Sequence, residues 1–504
     1  MNYSAFSYVL MFVPAVMLVY ALFPQKYRWI VLLAADYIFF ISWSKWLVVY
    51  LLVSTLVTYL FGRKLESMRK PPKDVDRKVF KKKKNRIKVI GVLIQLGTLI
   101  VLKYTNFIGQ TLLGDSFTTI HILVPIGISY YTLQSISFMS DVSNKKVHCD
   151  SFWKVALYLS FFPTIVEGPI SRYGEVADDL YAGRQLSADN IIAGYRRILW
   201  GLFQKAVIAD HLVHVVDSIF NSYQQDGFLC LLGAVLCTIQ LYMDFCGSID
   251  IGIGTAKIFG VTLPENFRQP FFAKNAGDFW HRWHITLGTF FRDYIFYPVS
   301  LSKPVQKLTK KVGSKSRLLQ RYLGPAIALL MVWLANGFWH GPYWTYVGYG
   351  IYYFVLMLIE MLWEKPFEEW WRRRGWDGKP LRIFRFCKLL VIVFIGEMFF
   401  RAKTFADGWT MFTSIFTNFH PVQSWGTIGF LGMDAWDWLV CILSFCVVIV
   451  VSVLREKGIS IWAWLEKKPA YIRWSAVYLL IFAILIFGAY GPGYDKVAMM
   501  YAGF

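Results

Sequence analysis

Apolar stretches of bilayer-crossing or nearly bilayer-crossing length recur from one end of this chain to the other. They occupy residues 6–23, 31–43, 46–61, 87–102, 229–245, 326–339, 343–363, 389–400, 436–454 and 477–488. A helix needs about 20 mainly apolar residues to cross the hydrocarbon core. In lipid the backbone satisfies its own polar groups only as a helix or a closed barrel. Several stretches are short, which predicts tilted, broken or re-entrant segments among about ten to twelve spans. Composition agrees: 56% of the 504 residues are hydrophobic and 17% charged, against about 25% charged in soluble domains. A single soluble core stops growing near roughly 250–300 residues, and no linker rich in Gly, Pro or Ser divides the chain. The sequence therefore reads as one all-α polytopic membrane domain over residues 1–504. The first stretch lacks a basic leader and a small-residue cleavage site, so it is expected to remain as the first span rather than act as a secretory signal.

The net charge of +21 does not point to nucleic acid, because its location argues otherwise. Residues 62–88 hold thirteen Lys or Arg against Glu66, Asp74 and Asp76, and residues 303–321 hold seven basic residues and no acid. Both runs adjoin apolar stretches, so the positive-inside rule makes them cytoplasmic loops. Three spans precede the first run, which puts the N-terminus on the extracytoplasmic side of a multi-pass cell-membrane protein. The short connection carrying Lys26 and Arg28 then falls inside, as the same rule asks. Contact with anionic lipid headgroups is a second reading of these runs. The seven cysteines are scattered and mostly apolar in setting, with neither disulfide framework nor metal spacing. There is no Walker sequence, dinucleotide fingerprint or His-Glu-x-x-His, so no bound cofactor or metal is expected. An inverted repeat of the kind found in many transporters is also missing.

Polar residues inside apolar stretches are costly, and they mark function. They concentrate in VPIGISYYTLQSISFMSDV from Val124, FFPTIVEGPISR from Phe161, QLYMDFCGSIDIGIG from Gln240, DFWHRWHITLGTFFRDYIFYP from Asp278 and NGFWHGPYW from Asn336. His340 ends an apolar helix against Gly341 and Pro342. Proline lacks an amide hydrogen and clashes with the preceding turn, so the helix must end or kink there. That leaves an imidazole beside free helix-end groups, with Asn336 one turn earlier. His284 lies in a segment too aromatic for a soluble loop and too charged for a plain span, together with His281, Arg282 and Arg292. His281 and His284, three apart, are expected on one helical face, with His281 interfacial. The plainer reading of either His284 or His340 is a hydrogen-bonding residue between helices. Asp244 and Asp250 read as carboxylates that hold a partner such as Arg282 or a backbone nest, with an ion pathway as the rival.

A histidine with a near-neutral pKa can take the proton of a hydroxyl as that hydroxyl attacks an activated acyl carbonyl. No Gly-x-Ser-x-Gly elbow is present, so direct attack by the acceptor is simpler than a covalent route. Helix-end amides or Asn336 are candidate donors to the developing oxyanion.

Over nearly its whole length the chain resembles the membrane-bound O-acyltransferase (MBOAT) family. The resemblance is carried by LYMDFCGSIDIGIGTAKIFGVTLPENFRQPF from Leu241, DFWHRWHITLGTFFRDYIFYP from Asp278 and GFWHG from Gly337. It is greatest toward the bacterial branch typified by the alginate O-acetyltransferase membrane subunit, with the teichoic acid D-alanyl transfer protein a shorter relative. The resemblance implies a ring of tilted transmembrane helices around a thin central region. It implies His340 as the essential histidine and His284 as the second catalytic position. Asp244, Asn266, Trp283 and Arg292 match motif positions of shaping role; Asn336 and Asp250 join that group from their settings. His281 departs from the relatives' usual Arg or Asn. The implied activity is acyl transfer from a cytosolic thioester, acetyl-CoA above all, to a hydroxyl of an extracytoplasmic polysaccharide or to a secreted or membrane-anchored partner protein. D-alanyl transfer from a carrier protein to teichoic acid is one alternative. An ion-coupled transporter or flippase using Asp244 and Asp250 is another.

Overall fold

The computed structural model describes residue 3 and residues 5–314 and 316–490. Lys315 of the second basic run and the two chain ends lie outside the described residues. Among the described residues every regular element is helical. In chain order, α1 (Val13–Leu22) follows a π-helical turn, and α2 (Arg28–Ser44) and α3 (Val48–Ser67) are separated by one 3-10 turn. Next come the long α4 (Arg77–Leu113), then α5 (Ile128–Ser143), α6 (Phe152–Ser160), α7 (Tyr173–Tyr181), α8 (Ala188–Leu202) and α9 (Asp210–Ser222). The central stretch holds α10 (Gly227–Ile258), α11 (Ala276–Arg282), α12 (Ile285–Phe291), α13 (Tyr297–Ser300), α14 (Lys303–Gly313), α15 (Arg317–His340) and α16 (Trp344–Arg373). The last elements are α17 (Lys379–Arg401), α18 (Phe405–Thr417), α19 (Pro421–Trp425), α20 (Ala435–Glu456), α21 (Ile461–Glu466) and α22 (Ala470–Phe487).

Seven described helical stretches are long and apolar enough to cross a membrane: Gln25–Ser67, Arg77–Ser116, Gly227–Ile258, Arg317–His340, Trp344–Arg373, Ala435–Glu456 and Ala470–Phe487. The sequence suggested about ten to twelve. Part of the difference is that Gln25–Ser67 joins two expected spans, and Ser7–Leu22 is apolar but short. The protein is thus an all-α, multi-pass membrane protein.

Neither basic run is wholly a loop. Only residues 68–76 separate α3 from α4, where Pro71 and Pro72 cannot continue a helix. The Asp76 side chain then accepts from the amides of Lys78 and Val79, capping α4 and complementing its dipole. The second run forms α14 and the first turn of α15.

The chain divides into two compact units. One comprises Met1–Gly201 and Ser248–Pro264, the other Leu202–Gly247 and the described residues from Glu265 onward. No sequence linker marks this division; α10 supplies residues to both. In the first unit, residues 161–172 form a buried, non-helical passage after α6. The buried Asp36 carboxylate on α2 accepts from the Phe162 amide at 2.7 Å and the Ser160 hydroxyl at 3.0 Å, as irregular backbone in such a setting requires.

The second unit holds both candidate histidines. Its α15 and α16 form a close pair because small residues face each other's backbone. A Cβ added to Gly337 would stand 2.5 Å from the Tyr346 carbonyl oxygen, and one added to Gly350 would stand 2.4 Å from that of Trp333. This approach, of the small-residue kind seen between membrane helices, presses the end of α15 against the opening turns of α16.

Candidate active site

The structure ends α15 at His340, where the sequence placed the break. Gly341 is fully extended (φ 166°, ψ 174°), Pro342 follows, and α16 begins at Trp344. A helix C-terminus leaves carbonyls rather than amides over, so the expected helix-end amide donors belong to the first turn of α16. Its N-cap Tyr343 carries no side-chain cap. His340 is 5% exposed, and its imidazole is walled by aromatic rings. Ring centroids of Trp339 and Phe400 both lie at 5.1 Å, Tyr346 at 6.1 Å and Tyr349 at 6.2 Å. Asn336, one turn earlier on α15, is buried, and its Oδ1 has no hydrogen-bond partner among the described residues.

His284 does not share a helical face with His281, contrary to the sequence expectation. α11 stops at Arg282, Trp283 is extended, and His284 adopts the left-handed conformation (φ 46°, ψ 51°) as N-cap of α12. Few non-glycine residues sit in that region. The cause is a backbone pairing that period counting does not see. The Arg268 amide donates to the Arg282 carbonyl at 2.9 Å, and the Ile285 amide to the Asn266 carbonyl at 3.0 Å. The chain is clamped on either side of Trp283 and His284, and the helix cannot run through.

Asn266 completes the clamp with its side chain. Its Oδ1 accepts from the Thr286 amide at 3.1 Å and the Thr286 hydroxyl at 2.9 Å, and lies 3.2 Å from His284 Nδ1. Because the Thr286 amide can only donate, this Asn266 atom is an acceptor, and His284 Nδ1 must carry the hydrogen. The neutral ring then presents a lone pair at Nε2. His284 is 2% exposed and lies on the linker outside the spanning helices. Burial first, and the nearby His340 second, hold its imidazole well below the usual histidine value, so the neutral form prevails at pH 7.

One indole joins the two histidines. The Trp339 ring is 5.6 Å from His284 and 5.1 Å from His340, and Phe245 of α10 meets His284 edge-on at 4.8 Å. Trp283 braces this floor, stacked on Phe279 at 5.5 Å and packed against Phe267 at 5.2 Å and Tyr242 at 5.6 Å.

The remaining expected residues are placed elsewhere. Arg292 is exposed on the π-turn after α12, with its Nε donating to Asp293 at 2.9 Å, and no described contact carries it to either histidine. Asp244 is buried on α10, but its partner is not Arg282. Lys205, 0% exposed, places Nζ 2.5 Å from Asp244 Oδ1 and 2.9 Å from Asp210 Oδ1. Arg282 instead binds Asp278 at 3.1 Å and Glu456 at 2.9 Å. Asp250 lies in the first unit, where Arg197 holds it at 2.8 Å.

Sequence reading missed Lys205, Asp210 and Glu397. The first two stand five residues apart with opposite charge in an otherwise apolar LFQKAVIAD, a spacing that could have flagged them. Glu397, 1% exposed on α17, accepts from the Tyr349 hydroxyl at 3.1 Å. It is a single acid within the apolar stretch 389–400, which carried the signal unread.

The profile of the membrane-bound O-acyltransferase (MBOAT) family matches residues 133–402, more than half of the chain and every residue of this site. The chain belongs to the MBOAT family. Among its relatives, the probable alginate O-acetylase AlgI of Azotobacter vinelandii is 29% identical over 427 residues, covering 83% of this chain and 78% of that protein. The peptidoglycan O-acetyltransferase of Helicobacter pylori is 30% identical over 302 residues, 54% of each chain. The teichoic acid D-alanyltransferase of Bacillus subtilis is 29% identical over 258 residues, 50% of this chain and 61% of that one. Membership makes the protein an O-acyltransferase, and the two histidines of the MBOAT segment, buried around one indole, form its candidate chemical centre.

Proposed function

We propose that this acyltransferase moves an acetyl group from a cytosolic thioester, acetyl-CoA, to a hydroxyl on an extracytoplasmic polysaccharide or on a partner protein that passes it on. The observation that carries the reading is the pairing of His340 with a tautomer-fixed His284 across Trp339. The acceptor oxygen attacks the thioester carbonyl while His340 takes its proton, and the tetrahedral intermediate then expels the thiolate, which takes a proton in turn. His340 is the general base. His284 is suited to positioning, because its Nε2 lone pair accepts a hydrogen bond, for instance from an amide of the donor's pantetheine arm. With Nδ1–H committed to Asn266, a neutral His284 cannot donate to the oxyanion. Donation to that oxygen falls to Asn336 or to amides opening α16.

The acetylation reading is favoured over D-alanyl transfer because similarity to the AlgI relative extends over 83% of this chain, against 50% for the D-alanyltransferase. The transporter reading loses its support, since Asp244 and Asp250 are each bound to a basic side chain. The test is single-turnover transfer by the purified protein, with labelled acetyl-CoA compared against a D-alanyl-charged carrier protein. Transfer from the carrier alone would move the assignment to D-alanylation, and transfer from neither would overturn both.

A further inference from the structure

Glu397 poses a question that the transfer chemistry does not answer. It is a carboxyl group 1% exposed in an apolar part of α17, where an unpaired charge or unmet polar atom is costly. Its Oε1 accepts the Tyr349 hydroxyl at 3.1 Å, while Oε2 has no hydrogen-bond partner among the described residues. No described lysine or arginine forms an ion pair with it. Tyr349 is therefore its main polar anchor, and that tyrosine stands at a junction. The Tyr349 ring meets His340 edge-on at 6.2 Å and 83°, Phe400 at 5.0 Å, and Trp280 at 6.2 Å and 85°. Trp280 belongs to α11, the helix that delivers Trp283 and His284.

Resting on the acyl-transfer reading above, we propose that Glu397 is a positioning residue that holds the Tyr349 hydroxyl, so that one tyrosine ring keeps the His340 imidazole in register with the helix leading to His284. A tyrosine ring can rotate and slide within an aromatic cluster. A hydrogen bond at its far end fixes it, and misplacement of about 1 Å at a reacting centre costs up to ~10²-fold in rate.

The test compares Glu397→Leu, Glu397→Gln and Tyr349→Phe for acetyl transfer, with thermal stability measured in parallel. Glu397→Leu replaces the buried carboxyl with an apolar side chain of similar size but takes the acceptor from the Tyr349 hydroxyl, so a moderate loss of stability accompanies it. A merely structural acid would leave kcat unchanged once the protein is folded. The expectation is a fall of about 10–10²-fold in kcat for Glu397→Leu and Tyr349→Phe, with donor KM little changed, in assays run well below the melting temperature of each variant. Glu397→Gln, which still accepts from the tyrosine, should recover most of the rate. The double variant should lose no more than either single one. A second readout needs no turnover: the rate of carbethoxylation of His340 by diethyl pyrocarbonate, followed by peptide mass spectrometry. It should change equally in Glu397→Leu and Tyr349→Phe and stay at the parent value in Glu397→Gln. If the parent protein transfers no acetyl, the functional reading fails, and carbethoxylation alone decides the positioning role. Parent-like His340 reactivity in Glu397→Leu, or unchanged kcat in an active enzyme, overturns it.

Discussion

Asn266 and His284 are 18 residues apart in sequence and 3.2 Å apart in space, joined from Asn266 Oδ1 to His284 Nδ1. This bond orients the ring and selects its tautomer, in the manner of residues that support catalytic or metal-bound histidines. Asn266→Ala frees the ring and leaves Thr286 without its acceptor, so kcat for acetyl transfer should fall by about 10²-fold. Asn266→Asp retains the acceptor oxygen and should lose less. Equal activity in all three proteins would show that the tautomer is set by something else.

The two histidines should respond differently to the same substitution. Asparagine at position 340 cannot take up a proton near neutral pH, and loss of a general base costs about 10²–10⁴-fold. Asparagine at position 284 keeps a hydrogen-bonding group and should retain measurable turnover at saturating donor. Side-by-side assay of His340→Asn and His284→Asn decides the division of labour, and an active His340→Asn would reverse it.

Lys205 pairs with two buried aspartates, so its loss should be felt in stability before activity. Removing one partner of a buried ion pair typically costs about 3–5 kcal/mol. Lys205→Met should lower the unfolding temperature in detergent sharply. Adding Asp210→Asn and Asp244→Asn, which removes the stranded charges, should restore most of it. A triple variant no better than the single one would mean that the lysine acts through its packing.

Orientation can be read from Lys83, exposed near the start of α4. In a cysteine-free background, Lys83→Cys should resist an impermeant thiol reagent in intact cells and react once they are lysed. Ready labelling from outside would invert the topology expected from the basic runs.

What the sequence revealed of this site follows the range of the forces involved. The end of α15 was legible because Gly341 and Pro342 act on the residues beside them. The left-handed turn at His284 was not, because it is imposed by backbone bonds to Asn266 and Arg268 from an earlier stretch of chain. Local period counting therefore put His281 and His284 on one face. Asp244 reads as an acid needing a partner, but Lys205 and Arg282 lie at nearly equal distances on either side of it in sequence, so only the fold selects the lysine. Glu397 went unremarked because one acid does not spoil the apolar character of its stretch. The helical class itself was plain, since it rests on composition repeated along the chain.

The Lys205–Asp244 contact also bears on how the chain enters a membrane. A solitary aspartate in the middle of a spanning segment opposes insertion by about 2.5–3.5 kcal/mol. Here the lysine precedes α10 in the chain, so during synthesis the cation emerges first and is at hand when Asp244 follows. That cation already has Asp210 five residues on, so Asp244 enters α10 opposite a lysine that is held in place rather than free. Exchanging Lys205 and Asp244 would set an acid beside Asp210 while the chain is still emerging, so membrane integration would register the change before the cluster could form.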